Sequence, residues 1–203
     1  YNILVLEHLA SISDSPKPFN VSNMIPHWRK RLENGWSSWI CTMTRETYGQ
    51  VRQGVPVEHL GGVSNAMAIR HAAAHAYYDT EDEVVDAARK SMFTHRDVHA
   101  LGGGEFFARV THRVINGATP SNAVESAALE MEGFFQDKVA QAIAKVKEAT
   151  DENSALSQEK FADDLAITSM ARLWDVGRSE PIKVGKASPT EGTLPGAVYF
   201  ILK

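Results

Sequence analysis

The chain has 203 residues, 43% of them hydrophobic, and its 21 basic against 25 acidic side chains give a net charge of -4. That length supports one sizeable core and is marginal for two. With no basic stripe, a nucleic-acid partner is not suggested, and no apolar run is long enough for membrane insertion. The single Cys41 excludes an internal disulfide framework. It fits a reducing, intracellular compartment, cytoplasmic or organellar, and reads as a small buried hydrophobe.

Ile3, Leu6, Leu9 and Ala10 recur at helical spacing and predict a first helix over residues 2–12, broken by Pro16 and Pro18. Asn20-Val21-Ser22 predicts a cap for a second helix carrying Met24, Ile25, Trp28 and Leu32. Trp36 and Trp39 continue an aromatic stretch to Thr47, and residues 50–62 read as loop. Residues 65–78 are Ala-rich and predict a helix by propensity. Asp79-Thr80-Glu81-Asp82-Glu83 combines an N-cap with acidic residues that oppose the helix dipole. The helix it opens runs through Val84, Val85, Ala88 and Met92 to about Phe93.

Thr94-His95-Arg96-Asp97 predicts a turn and a cap for a helix through Phe106, Phe107 and Val110 to Ile115, ended by Asn116-Gly117. Ser121-Asn122 opens another long helix, interrupted at Gly133 and continued by a Lys-, Glu- and Ala-rich stretch to Thr150. Residues 151–157 read as a polar loop, 161–174 as an amphipathic helix and 177–193 as irregular. A last helix is expected to start near Leu194-Pro195-Gly196, since Pro is accommodated in a first turn. No alternating run supports a sheet, so the predicted fold is all-α, in one domain over residues 1–203. Both ends fall in apolar runs, Tyr1–Leu6 and Val198–Leu202. The chain is therefore expected to be a piece of a longer polypeptide, or to cover these ends as a homo-oligomer or assembly subunit.

Chemistry concentrates in residues 61–70 and 94–97. Gly61 and Gly62 give backbone freedom where a Cβ would block a ligand's approach. Ser64 and Asn65 are expected to cap the predicted helix, whose free N–H groups suit an anion, and Arg70 would lie well inside it, facing the same cavity or an internal carboxylate. The rival reading is an ordinary loop and cap with a buried Arg. His95 reads either as part of an N-cap cluster or as a ligand contact, with acid–base work open to it. His71 and His75, a turn apart, lack a third ligand nearby in sequence, and no metal site is assigned to them. Gly102-Gly103-Gly104 reads as close helix packing. Asp163-Asp164 and Asp151-Glu152 read as decoration of a helix start and a loop rather than as ligands for a hard cation.

Ser64-Asn65-Ala66-Met67-Ala68-Ile69-Arg70 followed by Thr94-His95-Arg96-Asp97 resembles the motif pair of the ADP-ribosylglycohydrolase family, especially its J1-crystallin-like branch. The N-terminal helix, the Trp28–Trp39 region and the closing segment look similar too, so the likeness spans nearly the whole chain. Ala66 stands where that family usually has Gly, and Ile69 where it usually has Met. The resemblance implies an all-α fold and Mg²⁺-dependent hydrolysis of a bond to ADP-ribose. It also implies an ADP-ribose-type ligand contacted by Gly61, Gly62, Ser64, Asn65, Arg70 and His95. The family's metal carboxylates belong to motifs that flank the segment matching residues 1–203. Two readings follow: an ADP-ribosylglycohydrolase-like enzyme, or a catalytically silent relative with a structural role.

Overall fold

The computed structural model describes residues 1–12, 18–36, 39–67, 69–171 and 189–203. Their regular structure is entirely helical apart from isolated bridge positions, as the all-α expectation requires. Contacts divide the chain into two compact units, Tyr1–His112 and Arg113–Lys203.

In the first unit, α1 (Asn2–Ile12) and α2 (Val21–Glu33) form where the apolar spacing predicts. Asn20 caps α2 by accepting from Ser22 N–H at 2.9 Å. Pro26 lies in the second turn of α2, where its missing N–H leaves Ser22 C=O without its usual helical donor. α3 (Thr42–Arg52) is capped by Cys41, whose Sγ accepts from Thr44 N–H. It carries helix into the start of the segment that reads as loop. α4 (Glu81–Ser91) opens with a complete capping box: Thr80 and Glu83 satisfy each other's backbone N–H groups. α5 (Val98–Ile115) follows, with Asp97 accepting from His99 and Ala100 N–H. Its glycines Gly102, Gly103 and Gly104 are buried within the helix, as close packing requires. The core gathers Leu4, Val5 and Leu9 of α1, Met24 and Trp28 of α2, and Val84 and Ala88 of α4. Trp28 anchors it, meeting Phe93 edge-to-face at 5.1 Å.

One expectation fails here. Residues 65–78 do not form a helix; apart from a single 3₁₀ turn at Ala74–Ala76, the described part is irregular. Propensity loses to tertiary placement. Arg70 and His71 are buried at 8% exposure, held among the core residues Ala73, Ala74 and Tyr78. Ser64 therefore caps no helix; its Oγ accepts from Ala66 N–H in a local turn.

In the second unit, α6 (Pro120–Leu129) is capped by Thr119, not Ser121. Gly133 begins a separate helix, α7 (Gly133–Thr150), rather than interrupting one. A short α8 (Ala155–Gln158) lies in the predicted polar loop. α9 (Ala162–Met170) starts as expected, with Asp163 and Asp164 in its first turn; the end predicted at residue 174 lies outside the described residues. α10 (Thr190–Leu202) begins four residues before the expected Leu194, so Pro195 sits inside the helix. α10 packs on α7 and α9, and its Tyr199 hydroxyl donates to Asp163 at 2.7 Å. Lys203 pairs with the same carboxylate.

Candidate functional site

The two motif segments meet in the first unit. Gly62 N–H donates to Thr94 C=O at 3.1 Å and Arg96 N–H donates to Gly62 C=O at 2.9 Å, a parallel bridge between Gly62 and His95. The two glycines bear on it differently. Gly61 has φ +104°, and a Cβ there would stand 2.9 Å from Phe93 O. At Gly62 a Cβ would meet the Met43 and Glu46 side chains of α3. Gln50 holds the turn by accepting from Gly61 N–H at 2.8 Å.

Arg70 joins the same assembly from the other side. Its Nη1 donates to Thr94 Oγ1 at 2.7 Å and to Ser91 O at 3.4 Å, and its guanidinium carbon stands 3.7 Å from the Tyr1 ring centroid. Thr94 Oγ1 also contacts His95 Nδ1 at 2.9 Å, so Arg70, Thr94 and His95 form one chain of polar contacts. Burial, helped by the Arg70 charge, pulls the His95 imidazole down to about 4. His95 is thus neutral at neutral pH. It can stack or hydrogen-bond there, but it is not a reservoir of protons. Burial likewise lifts the Tyr1 phenol to about 12, against the opposing pull of Arg70.

Gly61, Gly62, Arg70 and His95 are therefore brought together. Ser64 and Asn65 follow directly, half-buried in the loop that leaves the bridge. Beside this assembly lies a cavity of about 210 Å³, walled by Tyr1, Trp28, Trp36, Trp39, Cys41 and Arg70 among others. Of the sequence-predicted residues, only Arg70 lines it. Sequence reasoning misses the aromatic wall as a site; its one signal is the density of tryptophan between Trp28 and Trp39.

The His71–His75 pair survives the loss of its predicted helix: His71 Nδ1 and His75 Nε2 are 3.1 Å apart, and His112 stacks on His75. Burial, then the neighbouring His75, holds His71 down to about 4. Among the described residues, no group of three or more His, Cys, Asp or Glu side chains is placed to hold a metal ion. Nor is any described helix long and apolar enough to cross a membrane.

The family model described as ADP-ribosylglycohydrolase matches residues 2–203. The chain belongs to the ADP-ribosylglycohydrolase family. The match runs through both units, and the all-α architecture agrees with it. No curated protein and no solved structure matches. Within this member of the ADP-ribosylglycohydrolase family, the Gly61–Gly62 turn leads into the Ser64–Arg70 segment of the resemblance, and its bridge to His95 ties that turn to the second segment through their backbones.

Proposed function

We propose that the chain is an ADP-ribosylglycohydrolase-like protein whose first unit supplies one wall of a cleft for an ADP-ribose-type ligand. The observation that carries this reading is the backbone bridge between Gly62 and His95, which puts the two motif segments side by side. In it the Gly61–Gly62 turn lets a ligand approach the main chain. Ser64 and Asn65 offer polar side chains, and neutral His95 offers a face or a ring nitrogen. The family match through both units supports treating residues 1–203 as one functional domain, and hydrolysis of a bond to ADP-ribose as its chemistry.

The family is in general one of metal-dependent hydrolases. The expected Mg²⁺ wants several oxygen ligands, and no suitable group converges among the described residues. The chemistry assigned to these residues is therefore binding and positioning alone. The altered motif, with Ala66 and Ile69 in place of the family's usual Gly and Met, favours a second reading, a catalytically silent relative with a structural role, such as the J1-crystallin-like branch or a subunit of an assembly.

Titrating ADP-ribose while following thermal stability tests the cleft. Ligand at about 100 times its dissociation constant adds roughly 2.7 kcal/mol. His95→Ala is expected to shrink that gain. No shift at millimolar ADP-ribose overturns the cleft. Release of free ADP-ribose from an ADP-ribosylated substrate in the presence of Mg²⁺ separates the enzyme from the silent relative.

A further inference from the structure

The cavity beside Arg70 has properties that the family resemblance does not explain. Arg70 is 8% exposed, and its guanidinium meets the Thr94 hydroxyl, the Ser91 carbonyl and the Tyr1 ring. No carboxylate among the described residues pairs with it. A buried cation without a counter-charge carries a desolvation cost that an opposite charge offsets. A second element adds to the same field. Cys41, the N-cap of α3, and Thr44 in its first turn both line the cavity, and that turn carries no acidic residue. The helix dipole concentrates partial positive charge at this end.

The rest of the wall is flat and apolar. Three of the chain's four tryptophans, Trp28, Trp36 and Trp39, surround the space. Trp28 is buried, whereas Trp39 stands 82% exposed at the rim, an unusual place for so large an apolar surface. Trp36 Nε1 is buried without an acceptor, although buried indole N–H groups ordinarily find one. The volume, about 210 Å³, lies below the roughly 300–1,000 Å³ of pockets that enclose drug-sized ligands. It suits one ring system rather than a whole nucleotide diphosphate sugar.

We propose that this cavity binds a small planar aromatic anion, a single ring system bearing a carboxylate or phosphate. The ring packs among Trp28, Trp36 and Trp39, and the anionic oxygens accept hydrogen bonds from Arg70 beside the α3 N-terminus. The site stands whether or not the chain hydrolyses a bond to ADP-ribose.

Tryptophan fluorescence reads the site directly. Benzoate and phenyl phosphate are expected to change the emission saturably. Benzyl alcohol, which keeps the ring without the charge, and inorganic phosphate, which keeps the charge without the ring, are expected to bind at least about tenfold more weakly. Trp39→Ala removes an exposed side chain and is expected to weaken benzoate by about tenfold, in line with the loss of one aromatic contact. Arg70→Met is expected to abolish the preference for benzoate over benzyl alcohol. If Arg70→Met does not fold, the charge comparison and Trp39→Ala still decide. Equal binding of benzoate and benzyl alcohol, an unchanged affinity in Trp39→Ala, or no saturable change at millimolar probe each overturns the proposal. ADP-ribose binding is read separately through His95→Ala, so the two ideas fail independently.

Discussion

The guanidinium of Arg70 stands over the ring of Tyr1 with 3.7 Å between its central carbon and the ring centroid. The Tyr1 hydroxyl donates to Ser91 O at 2.8 Å, the same carbonyl that Arg70 reaches. Cation and ring thus share an acceptor as well as a face. A double-mutant cycle of Arg70→Met and Tyr1→Leu is expected to give a coupling of about 1–2 kcal/mol by urea unfolding, since the pair is buried. Arg70→Lys is expected to lose most of that coupling, because an ammonium has no planar fork. A coupling near zero means the ring is mere packing.

The two adjoining glycines differ in what they forbid. A Cβ on Gly61 meets backbone, and its φ of +104° is one that side chains rarely adopt. A Cβ on Gly62 meets the ends of the flexible Met43 and Glu46 side chains, which can move aside. Gly61→Ala is therefore expected to cost roughly 1–3 kcal/mol and Gly62→Ala clearly less. Denaturant midpoints of the two variants compare them directly, and the reverse order contradicts the bridge geometry.

Acid is expected to weaken the fold through its buried imidazoles. His95 and His71 are each lowered to about 4 from 6.5, chiefly by burial. Between these values the unfolded chain binds protons that the folded chain refuses. The contribution to stability is therefore fully present above about pH 6.5 and is lost as pH falls toward 4. Each group accounts for on the order of 2–3 kcal/mol by the end of that window, His71 as one half of its pair with His75. Urea midpoints measured across the window are expected to fall in the wild type and to fall less in His95→Asn. A flat wild-type profile counts against neutral, buried imidazoles.

What can be read from the residues depends on how local their instructions are. Thr80 and Glu83 cap α4, Asn20 caps α2 and Asp97 caps α5, because each cap lies within a few residues of the amides it satisfies. Residues 65–78 go the other way. Their alanines favour helix locally, but Arg70 is drawn to Thr94 and Tyr1, and Ala73, Ala74 and Tyr78 to the core. α10 starts before Leu194 because Thr190 and Gly192 are buried with the rest of that helix, a packing fact that Pro195 does not announce. The pairing of the two motif segments comes from family resemblance; spacing alone leaves His95 undecided. The tryptophan cavity is legible only as an unusual density of one residue type. Its missing counter-charge is a property of three dimensions.

The bridge at Gly62 also sets the mechanical character of the loop that follows it. Its two backbone bonds close an excursion of the chain that contains all of α4, and so carry the loop-closure entropy of that excursion. The stretch carrying Ser64 and Asn65 is then pinned at Gly62 on one side and at the Arg70–Thr94 contact on the other. It behaves as a strap between two rivets. A substitution at Gly62 or at Arg70 therefore reaches the Ser64–Asn65 stretch through its anchors.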